Sequence, residues 1–457
     1  MKADKIFLFE NESVGKAILR LALPSVMGQI ILVIYNMADT FFVGLSGSDV
    51  QITAVTMCMP AYMFLSAVSN LFGVGGASLI SRSLGAERYD IARRASAFSV
   101  FGCVIVSLLY AAGCLAFLHP FADLLGGASA AVHEEAVRYL LIVIVIGGPF
   151  AAVNTLLSHL IRAEGRSLPA SLGVAIGGLL NIALDPLFMF VIMKPGCEVV
   201  SVAAATLLSN CIASAYYVIY LIRHHRDMVF SVRPRKSMFS GNIPREVIRI
   251  GIPACLMTLC ENISYALLNN RMALYGHAAQ AGIGVAKKIN MLAHSIVRGI
   301  THGVLPLIGY SFSSGNWQRM RKTVRVSSVM SITIACVLTG ISLVFADGLI
   351  GLFIQTDGDS LRYGSTFLRI LCVGAPFSAW AYTVISFFQA AGRMGSATAL
   401  ALLRKGVVDI PLMFLYRAFF AARGLVLATP AADLICCVTA AVLYAVFCRR
   451  TCPPSLL

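Results

Sequence analysis

Residues 147–166, GGPFAAVNTLLSHLIRAEGR, return at residues 374–393 as GAPFSAWAYTVISFFQAAGR, 227 positions later. Each copy is apolar over the length of a helix, opens on a glycine with proline two places on, and closes on Gly-Arg. Moving outward, Arg20-Leu-Ala-Leu-Pro24 meets Arg249-Ile-Gly-Ile-Pro253 at an offset of 229, and LGAERYDIARR from Leu84 meets SSGNWQRMRKT from Ser313 at the same offset. Asp185-Pro-Leu faces Ile410-Pro-Leu at an offset of 225. A drift of four residues across a half needs only small loop deletions, so the chain reads as two tandem copies of one unit.

The medium is set by composition. The chain has 457 residues, is 58% hydrophobic and only 12% charged, with a mean hydropathy of +0.82; a soluble domain is about one quarter charged. At roughly 20 apolar residues per crossing of a bilayer, the length allows about twelve spanning helices and no large soluble domain. Apolar runs lie near 17–43, 52–80, 95–118, 137–160, 168–193 and 199–222, then near 247–270, 279–308, 324–346, 364–390, 396–416 and 425–447. Between the sets, HHRDMVFSVRPRKSMFSGNIPRE reads as a linker. The expected fold is therefore an all-α polytopic membrane protein of two pseudo-symmetric six-helix lobes, 1–228 and 249–457, joined by a cytoplasmic linker, 229–248. An even number of spans per lobe makes the repeat parallel, with its pseudo-two-fold axis along the membrane normal and a cavity expected between the lobes.

The net charge of +15 does not indicate nucleic acid, because the Lys and Arg residues gather between apolar runs. Loops after even-numbered spans hold Arg82, Arg88, Arg93 and Arg94, then Arg162 and Arg166, then Arg223 through Arg249, then Arg319, Arg321, Lys322 and Arg325. The intervening loops hold almost none, Arg417 and Arg423 excepted. By the positive-inside rule both termini are expected in the cytoplasm of a multi-pass cell-membrane protein, with some of the basic residues meeting anionic lipid. The N-terminal MKADKIFLFENESVGK lacks the apolar stretch of a signal peptide. The thirteen cysteines show no metal-ligand spacing and read as small packing residues.

Several stretches resemble the multidrug and toxic compound extrusion (MATE) transporters. They are LALPSVMGQIILVIYNMADTFFVG in span one, GLLNIALDPLFMF in span five, AAATLLSN in span six, VLPLIGYSFSSGN closing span eight, and LRIL…GAPF…FFQAAGR in span ten. They fall in both halves and cover essentially the whole chain. The resemblance, to a bacterial or archaeal branch, implies export of small amphiphilic and often cationic drugs or metabolites, driven by Na⁺ or H⁺ moving inward, with no other cofactor. Each inward charge gains about 2.3 kcal/mol per 100 mV. Lipid or polysaccharide flippases share this fold class and are the alternative. An integral-membrane enzyme is not supported, since His119…Asp123 and Ser158-His159 lack the partners of nucleophilic catalysis. A monomer is expected.

Candidate residues are the polar groups inside apolar runs. Asp39 lies about 23 residues past Lys16, too deep for its short side chain to reach an interface, and an ionised carboxylate there needs partners or water. Asn181 and Asp185, at i and i+4, share one helix face; Pro186 frees a backbone carbonyl in the preceding turn, and Thr206 in span six can add a hydroxyl. Such oxygens suit a hard monovalent cation, and a buried carboxylate can instead take a proton. Under the resemblance, Asp39, Asn181, Asp185 and Thr206 match a coupling site in the N-terminal lobe; otherwise they are a polar cluster that fixes helix register. Tyr35, Asn36 and Asn154 are neighbouring candidates. Glu261, eight residues after Pro253, matches a coupling carboxylate of some branches, but the aspartate that accompanies it in span ten is missing. A salt bridge to Arg271, Lys287 or Lys288 is the other reading. Asp409 suggests a charge pair with Arg404 or Lys405, or a place on the transport path. Lys287, Lys288, Arg298 and His302 give span eight a polar face expected to point into the cavity. The Met57, Met59 and Met63 group, and Phe377, Phe387 and Phe388, suit either a promiscuous cavity or plain packing.

Overall fold

A computed structural model describes residues 7–45, 49–125, 129–193, 196–231, 236–354 and 358–451. α1 (Val14–Leu45) has 32 residues, about 48 Å at 1.5 Å per residue, and so exceeds the roughly 30 Å of a hydrocarbon core. α2 (Asp49–Gly85), α3 (Tyr89–Ala116), a short α4 (Leu118–Leu125) and α5 (Ala130–Leu140) follow. α5 runs through a π-helical stretch, Leu141–Ile146, into α6 (Gly148–Ala163); α7 (Ser167–Leu187) continues through another, Phe188–Ile192, before α8 (Glu198–His224). The second half holds α9 (Ile243–Ala273), α10 (His277–Ser313), α11 (Trp317–Val344), a short α12 (Ala346–Gly351), α13 (Asp359–Cys372) and α14 (Ala375–Ala390). α15 (Met394–Leu402), a π-helical stretch at Leu403–Val407 and α16 (Asp409–Thr451) complete it.

Among the described residues nine helical stretches are long and apolar enough to cross a membrane, and two bent pairs each supply one more crossing. The last stretch, Met394–Thr451, has 58 residues, about 87 Å if straight. It reverses instead. Ala421 adopts φ 50°, and Thr429 donates a hydrogen bond to Asp409, 20 residues earlier, at 3.2 Å. This stretch is a helical hairpin that crosses twice, which brings the crossings to twelve, six on each side of the linker.

Spans four and ten differ from the single helices expected of them. α5 and α6 meet at 46°, and α13 and α14 meet at 45°. The bend falls where the repeated sequence places a proline: Pro149 and Pro376 sit in the first turn of α6 and α14, where a proline is tolerated but has no N–H to carry the hydrogen-bond ladder of the preceding helix across the junction. The near-equal bends show the repeat in three dimensions. So do Gly165 (φ 80°) and Gly392 (φ 71°), 227 positions apart, each in the left-handed conformation that ends a helix.

Contacts divide the chain into two units. The first is Met27–Gly251; the second joins the segment ending at Val26 to the chain from Ile252 onward. The opening turns of α1 thus belong to the second unit and those of α9 to the first, and both changes fall within three residues of the equivalent prolines Pro24 and Pro253. The first unit packs Leu65, Leu140, Ile144 and Val202 around one core, and the second packs Leu268, Ile283, Phe367 and Leu425 around another. Large apolar side chains such as Leu109, Val191 and Phe419 face outward, as a hydrocarbon solvent requires.

A carboxylate site and a charged network

α1 and α7 approach most closely at small residues. A Cβ on Gly178 would lie 2.8 Å from Ile31 and 3.6 Å from the Tyr35 Cβ, and one on Gly28 would lie 3.4 Å from Ser171. Residue numbers rise together along both helices, so the pair is parallel. One turn beyond the Tyr35–Gly178 contact come Asp39 on α1 and Asn181 on α7, with Asp185 a further turn along α7, and the two carboxylates lie within electrostatic reach of each other.

Asp185 is fully buried, and neither of its carboxylate oxygens has a hydrogen-bond partner among the described residues. No Lys or Arg forms a salt bridge with it among the described residues. Asn181 donates from Nδ2 to the Thr206 hydroxyl at 3.2 Å and leaves its Oδ1 without a partner among the described residues. The Thr206 carbonyl accepts from Asn210 at 2.9 Å, and Asn210 accepts from Asn154 at 3.3 Å. Asn154 therefore belongs to the same polar chain. Pro186 cannot bond the Ile182 carbonyl, so that oxygen is also released from the helix ladder.

Tyr35, Tyr62 and Tyr139 surround the carboxylates. Tyr62 and Tyr35 are hydrogen-bonded through their side chains, and Tyr139 lies within electrostatic reach of both Asp39 and Asp185. Tyr62 and Tyr139 were not singled out from the sequence. Asn36 donates to the Leu32 carbonyl of its own helix at 2.6 Å.

Burying a carboxylate without a partner is costly, so this arrangement calls for a positive charge. The oxygens at hand are two carboxylates, the Asn181 amide, the Ile182 carbonyl and the Thr206 hydroxyl. Among the described residues no group of three or more His, Cys, Asp or Glu side chains converges. A donor set of two carboxylates and neutral oxygens fits a monovalent hard cation or a proton.

The second unit solves the same problem differently. Glu261 on α9 accepts from Arg298 at 3.2 Å, from Arg404 at 3.0 Å and from the Tyr382 hydroxyl at 2.7 Å. Its partners are thus Arg298 and Arg404 rather than Arg271, Lys287 or Lys288. Helix register decides this: Arg298 lies on α10 level with Glu261, and the π-helical turn at Leu403–Val407 brings both Arg404 and Lys405 inward. Arg404 also donates from Nε to Asp433 at 2.9 Å and stacks 4.0 Å from the centre of the Tyr382 ring. Asp433, on the returning arm of α16, is a second carboxylate that sequence reasoning missed. Its other oxygen lies 3.0 Å from a Cβ placed on Gly374, so a side chain at that bend would crowd it.

Asp409 pairs with Lys405 at 3.7 Å and accepts from Ser264 at 2.5 Å and Thr429 at 3.2 Å, the internal charge pair being the arrangement observed. Lys287 stands within electrostatic reach of Lys405, Asp409, Asp433 and Glu261, and Lys288 is half-buried on α10. Phe387 and Phe388 are fully buried and pack edge-on against Phe447, which makes them packing residues. In the first unit, His133 bridges Asp123 at 2.7 Å and His119 at 3.0 Å on the exposed turn around α4.

The MatE family model matches residues 24–187 and again residues 253–415, the two matches starting at the equivalent prolines. The multidrug export protein MepA of Staphylococcus haemolyticus (strain JCSC1435) is 30% identical over 439 residues, covering 95% of this chain and 94% of that one. MepA of Staphylococcus aureus (strain MRSA252) is 30% identical over 447 residues, covering 96% and 95%. Among solved structures, a MATE protein in complex with MaL6 superposes with a TM-score of 0.88 at 23% identity over 96% of this chain and 97% of the other. A MOP superfamily transporter from Pyrococcus furiosus, whose binding pocket is described as of reverse polarity, superposes with a TM-score of 0.87 at 23% identity over 98% and 99%. The chain belongs to the MatE family, the multidrug and toxic compound extrusion transporters.

Proposed function

We propose that the protein exports small amphiphilic, often cationic, drugs or metabolites across the cell membrane by alternating access, in exchange for Na⁺ or H⁺ moving inward. The observation that carries this reading is Asp185, fully buried with neither oxygen partnered among the described residues, beside Asp39 and the oxygens of Asn181 and Thr206. A cation or proton entering this site neutralises a charge that the protein leaves uncompensated. Its binding therefore stabilises whichever conformation gathers these oxygens, and substrate bound to the other conformation favours its release; the coupling is reciprocal. Multidrug export, the activity for which the MepA relatives are named, supports the direction of transport. The positive-inside pattern supports cytoplasmic termini, and the protein acts as a monomer.

The test is efflux of a fluorescent cationic dye from proteoliposomes under an imposed Na⁺ or H⁺ gradient, with Asp39→Asn and Asp185→Asn as variants. Gradient-driven efflux lost in both supports the reading, and the effective gradient names the ion. A folded wild-type protein that ignores both gradients overturns dye antiport, and lipid-linked substrates then become the ones to try. A second reading, a substrate with an anionic group, rests on the second unit. There the cations Lys287, Arg298, Arg404 and Lys405 outnumber the carboxylates Glu261, Asp409 and Asp433. Competition of dye efflux by an organic anion separates the two.

A further inference from the structure

A groove of about 760 Å³ lies in the second unit, apart from both the carboxylate site and the Glu261 network. Its volume is that of a pocket for a sizeable organic ligand. One wall is a single face of α11, and Trp380 of α14 and Tyr444 of α16 form the other, their rings meeting edge to face at 5.9 Å.

That face is divided along its length. Gln318, Arg321, Lys322 and Arg325 occupy the first turns, and Val326, Val329 and Ile332 the next two. From Arg325 to the end of α11 at Val344 is 19 residues, about 28 Å, close to the roughly 30 Å of hydrocarbon. Arg325 therefore stands at the edge of the hydrocarbon, with Arg321 and Lys322 at headgroup level and the valines and isoleucine among acyl chains. Val329 is 60% exposed, so the groove faces the surrounding lipid. Among the described residues no carboxylate lies within salt-bridge distance of Arg321, Lys322 or Arg325. Arg82, Arg94 and Arg138, by contrast, all have acidic partners.

A cluster of three cations without counterions, continuous with an apolar trough that points into the hydrocarbon, has the charge and the zoning of a single amphiphile. We infer that this groove binds one anionic phospholipid. Arg321, Lys322 and Arg325 hold its phosphate, and an acyl chain lies along Val326, Val329 and Ile332 against Trp380 and Tyr444. The site does not depend on the direction of transport or on the coupling ion.

The test is native mass spectrometry of the delipidated full chain titrated with phosphatidylglycerol or with phosphatidylcholine of the same acyl composition. Wild-type protein is expected to retain one phosphatidylglycerol in clear preference to phosphatidylcholine. The variant Arg321→Ala/Lys322→Ala/Arg325→Ala should lose about fivefold in affinity per cation, roughly a hundredfold in all. Arg88→Ala/Arg93→Ala/Arg223→Ala removes the same charge elsewhere and should keep the preference. Equal retention of the two lipids by wild-type protein overturns the inference even if the groove variant fails to fold. An equal loss in the control variant also overturns it, because the attraction is then one of overall charge.

Discussion

The two units share a sequence repeat and a pair of near-equal bends, yet they treat buried charge in opposite ways. In the first, Asp185 has no hydrogen-bond or ion-pair partner among the described residues. In the second, the position 225 residues on is Ile410; the nearest acid, Asp409, sits one residue earlier and is held by Lys405, Ser264 and Thr429. Glu261 has three donors. Duplication supplied one scaffold twice, and the halves diverged in whether the countercharge is built in or must arrive from solution. A carboxylate whose countercharge is built in can stiffen a fold, whereas one that must collect it can report on a gradient.

The largest expected effect is on transport. Asp185→Asn is nearly isosteric and removes the charge that draws the cation, so gradient-driven efflux in proteoliposomes should fall by at least about a hundredfold, more than 2.7 kcal/mol in coupling terms. The thermal midpoint of the detergent-solubilised protein should stay level or rise, because an uncompensated charge has been removed. A variant that unfolds early instead would place Asp185 in the same structural class as Glu261 and end the contrast.

Next comes stability in the second unit. Arg404→Ala strips Asp433 of its only hydrogen-bond partner among the described residues and Glu261 of one of three, a loss on the order of 3–5 kcal/mol for a buried ion pair broken on one side. Chemical unfolding should show it. The double variant Arg404→Met/Asp433→Leu, which removes both charges and keeps the volume, should recover most of that loss; no recovery would mean that the Tyr382 stacking, not the charges, carries the network.

Glu261→Gln is a smaller intervention, since an amide oxygen can still accept from Arg298 or Tyr382. We expect destabilisation of about 1–3 kcal/mol, typical of weakening hydrogen bonds to a charged group, and efflux reduced less than tenfold. Efflux abolished as completely as by Asp185→Asn would show that both units couple to the gradient.

How much of this was legible follows from what each feature depends on. The twelve crossings and the repeat could be read because a bilayer imposes one length on every span and because the GGPF and GAPF segments preserve their order. The bends were written in the same segments, but an apolar run alone does not distinguish a straight span from a broken one. Asp39, Asn181, Asp185 and Thr206 stood out because polar groups are rare in apolar helices. Tyr62 and Tyr139 did not, since a tyrosine in such a helix is ordinary until packing places it beside a carboxylate. Asp433 was passed over for a related reason: its partner lies 29 residues away, across a hairpin whose closure the sequence does not announce. The same applies to Glu261, where lysines near in sequence drew attention from an arginine 37 residues off that helix register brings within reach.

The finest test separates the two ions within the first unit. Thr206→Val keeps the side-chain shape and removes a hydroxyl, and Asn181→Ala removes a neutral oxygen that has no partner among the described residues, along with the Nδ2 group that bonds Thr206. A sodium ion must be coordinated on several sides, so each neutral ligand lost should raise the half-saturating Na⁺ concentration by about fivefold, the equivalent of one hydrogen bond near 1 kcal/mol, while the maximal rate holds. A proton needs only a carboxylate oxygen. If H⁺ is the coupling ion, the same substitutions should leave the pH at half-maximal efflux close to the wild-type value, although Asp185→Asn still abolishes transport. The neutral oxygens of Asn181 and Thr206, rather than the carboxylates, are therefore the groups whose removal distinguishes a sodium site from a proton site.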